Sequence, residues 1–402
     1  MKIGFISDLH LGFGKEKEIY EDTFLIAENI LKELANKCEV IFIAGDLFDE
    51  KNPDNETILR AIKIFKNLKK RNEKIKFKIN SEEFEENIPI IFAIHGNHDR
   101  KLKDEISSYK IFDELGFFHY IPYGKIIFEK EKICIQALSN VPEKYAKKIL
   151  YEKLNPKPME NFFNILVLHQ NIFPYVYSIT ESSLKISDLP KNFDLIVNGH
   201  IHLRNVERID NKSTLLILGS PIITQIREEE ISEKRGYNIV EIFEDKTFKL
   251  HFEQIELPRK YYILEFYSEN LTINKIEEKI REIINKEKSK PVIKIKIFGE
   301  KEIEDKLIKN ILEKFEDKAI IRFENLTKSE RAIKSFEVLE KIKERKSVDE
   351  IIISTILEKL KEKNFSNSFN FLELIELFED GDVDTLVEIL TQTQKTLASI
   401  KK

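Results

Sequence analysis

Tryptophan is absent from this 402-residue sequence, and cysteine, methionine, proline and glycine are scarce, at 2, 2, 11 and 12 residues. The two cysteines, Cys38 and Cys134, lie far apart and form no CxxC pair. A disulfide framework and a thiolate metal site are therefore not expected, and a reducing cytoplasm fits. No apolar run is long enough to span a bilayer, and Met1 leads straight into a strand-like run without a basic n-region, so no membrane and no secretion address are expected. A dominant charge is missing as well: 66 Lys and Arg face 71 Asp and Glu, for a formal charge of −5. This excludes a strongly basic nucleic-acid binder, so any contact with DNA or RNA must use local basic patches or bound cations.

What is present is a soluble, globular composition, 42% hydrophobic and 34% charged, which excludes wholesale disorder and a collagen-like fibre. The length allows two or three domains with a sizeable core. Lys, Glu and Ile are abundant. A thermophile would show this, and so would an AT-rich genome.

One theme recurs along the first part of the chain: a short apolar run ends in polar, ligand-type residues. Ile3–Ile6 leads into Ser7-Asp8-Leu9-His10, Val40–Ala44 into Gly45-Asp46, and Pro89–Ile94 into Gly96-Asn97-His98-Asp99. Ile165–Leu168 leads into His169-Gln170, and Leu195–Val197 into Gly199-His200-Ile201-His202. Such runs read as buried strands, while Tyr20–Leu34 and Asn55–Leu68 have helical spacing. The pattern is α/β, a class that places ligands beyond the carboxyl ends of its strands. The later runs Leu215–Leu218, Tyr237–Phe243 and Phe248–Ile255 read as antiparallel strands, so two packed sheets are expected.

A boundary is expected at Leu257-Pro258-Arg259, which makes residues 1–258 one domain. Residues 259–325 read as a small α+β module: strands at Tyr261–Phe266, Val292–Ile297 and Ala319–Phe323, helices at Ile273–Ile284 and Ile303–Phe315. Residues 326–402 read as a helical tail, with apolar stripes at Ala332–Ile342, Val348–Leu360 and Phe369–Leu377 that seek a partner. The stretch Lys63–Lys78, followed by Glu82, Glu83, Glu85 and Glu86, reads as a solvated helix end and surface insertion, with a phosphate-contacting strip as the alternative.

Eight O and N donors thus stand at strand ends: Asp8, His10, Asp46, Asn97, His98, His169, His200 and His202. A lone histidine there means little, but together they would converge on one rim. Asp8 and His10 are two apart, as are His200 and His202, so an extended backbone puts each pair on one side. Gly45, Gly96 and Gly199 permit tight turns and close backbone approach. Carboxylate, carboxamide and imidazole without thiolate suit Mn, Fe, Zn or Mg rather than a closed structural zinc. Two ions sharing one carboxylate use such a set well, and ions about 3.5 Å apart clamp both oxygens of an in-line phosphoryl displacement.

The series Asp8-x-His10, Gly45-Asp46, Gly96-Asn97-His98-Asp99, His169 and Gly199-His200-x-His202 resembles the calcineurin-like metallophosphoesterases. Asp-Leu-His-Leu-Gly at 8–12, Gly-Asp-Leu-Phe at 45–48, Leu-His-Gln at 168–170, Gly-His-Ile-His at 199–202 and Gly-Ser-Pro at 219–221 are similar to the double-strand-break repair nucleases, the Mre-eleven/SbcD branch, probable source archaeal. The motifs cover about two thirds of the chain; the module and tail match in order and size only. The resemblance implies a two-sheet αββα sandwich with an α+β cap and a helical tail. It implies two manganese ions, other divalent metals being possible: one on Asp8, His10, Asp46 and His202, the other on Asp46, Asn97, His169 and His200. His98 would face the phosphate and protonate the leaving oxygen, and an activated water would attack.

The sequence departs from that family at Asp49, where many repair nucleases carry His. Phosphoprotein phosphatases carry Asp at this offset, so an Asp49–His98 catalytic dyad is expected. Those phosphatases have Arg beside it, whereas Glu50-Lys51 here point to a diester substrate. Asn171 stands where Gly often follows, His95 reads as packing, and His119 and His251 fit no motif.

The resemblance implies a manganese-dependent DNA exonuclease/endonuclease that processes double-strand breaks with an SMC-like coiled-coil ATPase of the Rad-fifty/SbcC type. Residues 259–325 would cap the site and orient DNA, and the tail would grip the ATPase. Helices near Glu56–Leu68 and Lys103–Leu115 would form a homodimer interface. The alternatives are a phosphodiesterase for nucleotides or other small diesters, and a non-catalytic scaffold on a degenerate phosphoesterase fold.

Overall fold

The strand Val40–Ala44 explains the layering of the molecule, because its side chains alternate between two cores. Val40, Phe42 and Ala44 join one buried cluster, and Ile41 and Ile43 join another. Ile90–Ile94 divides the same way, with Ile90, Phe92 and Ile94 on one side and Ile91 and Ala93 on the other. Strands buried on both faces must be apolar throughout, which is why these runs carry no polar residue.

The structure is a computed structural model that describes residues 1–14, 16–100, 106–175, 184–299 and 305–326. Its six-stranded sheet runs Phe248–Gln254, Gly236–Ile242, Lys2–Ile6, Val40–Ala44, Ile90–Ile94, His119–Tyr120. Its eight-stranded sheet runs Asn205–Arg208, Thr214–Ile217, Leu195–Asn198, Phe163–Leu168, Ile133–Leu138, Tyr123–Phe128, Lys74–Ile79, Glu82–Asn87. Phe5, Phe42, Ile126, Phe128, Ile165 and Val197 fill the space between them. Helices Lys17–Lys37, Asn55–Lys66 and Ser108–Glu114 cover the outer face of the first sheet through Leu31, Phe65 and Phe112. Ala146 of the helix Glu143–Ile149, and Leu150 after it, cover the second against Leu166 and Ile196. This is the expected αββα sandwich. Burying one such side chain contributes about 1.5–3 kcal/mol, so the three cores dominate the stability.

The five motif-bearing strands form where expected, and within each sheet those neighbours run parallel: Lys2–Ile6 beside Val40–Ala44 beside Ile90–Ile94, and Phe163–Leu168 beside Leu195–Asn198. Their carboxyl ends therefore open on one rim. Gly236–Ile242 and Phe248–Gln254 pair antiparallel as expected. Thr214–Ile217 departs from expectation: it is antiparallel to Asn205–Arg208 but parallel to Leu195–Asn198.

The charged stretch after Lys66 is not a solvated coil. Lys74–Ile79 and Glu82–Asn87 form a hairpin at the edge of the eight-stranded sheet. Lys76 pairs with Glu85 and Lys78 with Glu83 across it, and Phe77 stacks on Phe84 at 5.3 Å. Cross-strand charge pairing and one aromatic rung let a Lys- and Glu-rich segment form strands. The same pairing speaks against a free phosphate-binding strip.

A three-stranded sheet of Tyr261–Tyr267, Val292–Phe298 and Ile320–Asn325 carries the helices Ile273–Ile284 and Asp305–Phe315. Ile276, Ile280, Ile293, Ile295 and Ile311 form its core. By internal packing the chain divides into Met1–Ile297 with Ile303–Asn325, and Phe298–Glu302 with Leu326–Lys402. The tail helices expected at 332–342, 348–360 and 369–377 lie outside the described residues. Among the described residues, no helix is long and apolar enough to cross a membrane.

Candidate metal centre

At the rim the chain leaves its strands in an unusual backbone conformation. Asp8, His10, Asp46 and His200 have φ of +55°, +42°, +47° and +72°. The extended backbone expected for Asp8 and His10 is therefore absent, and left-handed turns place both side chains instead. Each such residue costs about 1–3 kcal/mol unless its surroundings hold it. The turns hold one another: the Asp8, His10 and Leu11 amides donate to Gly45 O, Asp46 O and Leu47 O at 3.0, 3.0 and 2.9 Å. Asp99 pins the far side, accepting from the amides of Leu47, Phe48 and Gly96 at 3.1, 3.0 and 3.2 Å and from the Tyr109 hydroxyl at 2.8 Å. Burial and the Asp46 charge push the Asp99 carboxyl up to about 6.

Two glycines are obligatory. A Cβ on Gly45, at φ +100°, would stand 2.1 Å from His169 Nδ1. One on Gly96 would stand 2.0 Å from Asp46 Oδ1.

Hydrogen bonds fix how the histidines face the rim. His169 Nδ1 lies 2.7 Å from the carbonyl oxygen of Ala44, which only accepts, so the proton sits on Nδ1. The Nε2 lone pair then faces Asp46 Oδ2 and Asn97 Oδ1, each at 3.3 Å. His10 Nδ1 lies 3.1 Å from Asp49 Oδ1, and His202 Nδ1 lies 2.9 Å from Thr224 Oγ1. Their Nε2 atoms stand 3.3 Å apart and 4.0 and 3.6 Å from Asp8 Oδ1, which is buried without a hydrogen-bond partner. Asp8 Oδ2 is occupied by the Ser7 hydroxyl and the His200 amide.

Acceptors thus face acceptors at two places, with no donor between them. Ligands adjacent on an ion with bonds of 2.0–2.2 Å lie about 3.0–3.4 Å apart, so these spacings suit a cation. Asp8, His10 and His202 form one group whose ligand atoms lie within 4.8 Å of one another, and Asp46, His169 and His200 form another. Calcineurin-like phosphoesterases bind divalent metals, and this donor set fits them. Burial works against charge on His169, yet the Asp46 carboxylate raises its pKa to about 9. A field that attracts a proton this strongly also attracts a divalent cation, and both compete for Nε2. Burial lowers His200 to about 4, leaving a neutral imidazole free to ligate.

His98 sits at the mouth, its ring edge-on to His10 at 4.8 Å between centroids. It groups with His10 and Asp46 within the same 4.8 Å span. The dyad expected with Asp49 takes another form. The Asp49 carboxylate is 3.9 Å from His98 and 3.1 Å from His10, while the Asp49 carbonyl oxygen accepts from His98 Nδ1 at 2.6 Å. Two histidines share this residue, and the carboxylate serves His10.

Other histidines are structural. His95 bridges the Tyr120 hydroxyl and Asn140 O at 2.6 and 3.1 Å. His119 pairs with Glu86 at 2.8 Å among Phe77, Phe84 and Phe92. Sequence reading missed the supports behind the rim: Asp99, Tyr109, Thr224, Glu230 and Arg235. Asp99 and the Gly-Ser-Pro motif were visible without a role; Ser220 of that motif donates to Asp8 O at 2.8 Å. Thr224, Glu230 and Arg235 carry no motif.

The calcineurin-like phosphoesterase family matches residues 1–204. The DNA double-strand break repair protein Mre11 of Sulfolobus acidocaldarius is 30% identical over 74% of this chain and 75% of its own length. That of Saccharolobus solfataricus is 29% identical over 78% and 79%. A solved dimetal phosphatase from Danio rerio aligns with 63% of this chain and 96% of its own at 11% identity, with a TM-score of 0.39. With the rim geometry and these relatives in hand, the chain belongs to the calcineurin-like phosphoesterase family, and within it to the Mre11 double-strand break repair proteins.

Proposed function

We propose that this chain is a manganese-dependent DNA nuclease that hydrolyses phosphodiesters at double-strand breaks with two metal ions. One observation carries the reading: two neighbouring sets of buried acceptors converge with no donor to satisfy them. Asp8, His10, Asp46 and His202 would hold one ion, and Asp46, Asn97, His169 and His200 the other, with Asp46 shared. Bound there, the ions would polarise the phosphate and lower the pKa of a water.

The chain's own residues do the rest. The Asp49 carbonyl keeps a proton on His98 Nδ1 and aims Nε2 outward. Protonated at Nε2 as well, His98 can deliver that proton to the leaving oxygen. The imidazoliums and amides around Asp46 hold its carboxyl far below the usual range against its burial, so it stays ionised. Asp99 keeps the 45–48 and 96–99 turns in register while DNA binds.

The partner assignments are further parts of the proposal. Residues 259–325 would cap the site and orient DNA. Residues 326–402 would dock on a coiled-coil ATPase of the Rad-fifty/SbcC type. A homodimer through the helices Asn55–Lys66 and Ser108–Glu114 is supported by the exposure of Leu59, Ile111 and the adjoining Leu115.

The test is cleavage of linear duplex and single-stranded DNA with Mn²⁺. His98→Ala should lower the rate about 10²–10⁴-fold, the usual worth of a general acid, while two ions remain bound. Unchanged cleavage would remove His98 from the chemistry, and no cleavage by the unaltered protein would overturn the reading.

A further inference from the structure

The histidines on the two sides of the centre are anchored differently. His169 leans on a neutral main-chain oxygen, Ala44 O, at 2.7 Å. His10 and His202 lean on side chains from outside the strand-end turns. Asp49 Oδ1 stands 3.1 Å from His10 Nδ1. Behind His202 stand Thr224 Oγ1 at 2.9 Å and Glu230 Oε1 at 3.8 Å from Nδ1.

Glu230 is fully buried at 0% exposure, and its Oε1 has no hydrogen-bond partner. Arg235, 3% exposed, lies 3.4 Å from its other oxygen and donates to His202 O and Ser220 O at 3.1 and 3.0 Å. One buried network therefore grips both the ring and the main chain of His202. Arg235 offsets the charge of Glu230, so Glu230 acts by position, whereas Asp49 adds an anionic charge beside His10.

A carboxylate behind a ligating imidazole fixes its tautomer and raises its basicity toward the metal. The side made by Asp8, His10 and His202 has this support twice. The group of Asp46, His169 and His200 has Asp46 as its carboxylate and main-chain support behind His169.

We infer that Asp49 and Glu230 are positioning residues that make the His10/His202 side the tighter ion site, so the two ions load in order. This rests on the two-metal reading above. It also gives Asp49 a purpose other than the catalytic dyad: it prepares a ligand rather than moving a proton to substrate.

The experiment is a titration of the metal-stripped full chain with Mn²⁺, followed by calorimetry and electron paramagnetic resonance. Two equivalents should bind, the first at least about tenfold tighter than the second. One equivalent should give the spectrum of an isolated ion, and the second should convert it to that of a coupled pair. Asp49→Asn should weaken the first step about 10–100-fold and leave the second nearly unchanged. Glu230→Gln should act in the same direction. Asp49→Glu should recover part of the loss, which general damage to the fold would not allow. If Glu230→Gln does not fold, the unaltered chain and the Asp49 variants still decide. Two equivalents of indistinguishable affinity, or an Asp49→Asn chain whose steps weaken together or not at all, would overturn this inference and leave the two-metal reading standing. Fewer than two stoichiometric ions would overturn both.

Discussion

The metal rim and the seam that joins residues 259–325 to the helix Lys17–Lys37 are both built from charged side chains, yet they are held in opposite ways. At the rim the backbone decides. Left-handed turns and amide contacts aim Asp8, His10, Asp46 and His200 before any side chain chooses a rotamer. At the seam the side chains decide. Arg259 pairs with Asp22, with Nη2 to Oδ1 at 2.8 Å; Lys290 reaches Glu18 at 2.7 Å; Arg322 reaches Glu16 at 2.8 Å. A small apolar patch of Ile19, Ile226, Val292 and Ile320 lies with them. The comparison teaches that the rim tolerates almost no displacement, whereas the seam is adjustable except at its one buried pair.

The sharpest way to break this contrast is to move the rim backbone. Gly96→Ala should cost cleavage about 100-fold or more, because its Cβ would stand 2.0 Å from Asp46 Oδ1 and a ligand misplaced by an ångström costs that much. Ion stoichiometry and cleavage rate check it, and near-normal values would show that the rim adapts after all. Next comes the buried seam pair. The Arg259 and Asp22 side chains are 9% and 10% exposed. Arg259→Leu should lower stability by about 3–5 kcal/mol in urea denaturation, because it strands a buried carboxylate. A loss below about 1 kcal/mol would make the pair equivalent to a surface contact.

The smallest effect concerns Glu18. The hydrogen bond from Lys290 holds its carboxyl below the ordinary 4.5. A carboxyl depressed on folding stabilises the fold above its unfolded pKa, and this is lost as pH falls through the folded value. Hydrogen exchange along residues 259–267 and 290–298 should therefore quicken more on acidification in the unaltered chain than in Glu18→Gln. Equal acid responses would show that the pair does not hold the seam.

Much of this was legible in the sequence, and the reasons differ by region. The strand ends were readable because an all-apolar run ending in Gly and a ligand-type residue has few other uses. Their convergence followed from parallel strands opening on one side. The hairpin at 74–87 was not readable, since alternating Lys and Glu look like solvent-facing helix until Phe77 and Phe84 stack across the pair. The strand Thr214–Ile217 was assigned an antiparallel setting because short late runs give no clue to pairing direction. The Asp49 side chain went to the wrong histidine for a geometric reason: its carbonyl and its carboxylate point to different rings. Thr224, Glu230 and Arg235 were invisible because their purpose arises only from contact with His202, across 22 or more positions.

The central claim is tested most directly by a crystal structure of the chain grown with Mn²⁺, with the ions located by anomalous scattering. The account predicts two peaks about 3.5–4 Å apart. One should lie among Asp8 Oδ1, His10 Nε2 and His202 Nε2, the other among Asn97 Oδ1, His169 Nε2 and His200, with Asp46 touching both. A single peak, or peaks away from these atoms, would contradict it.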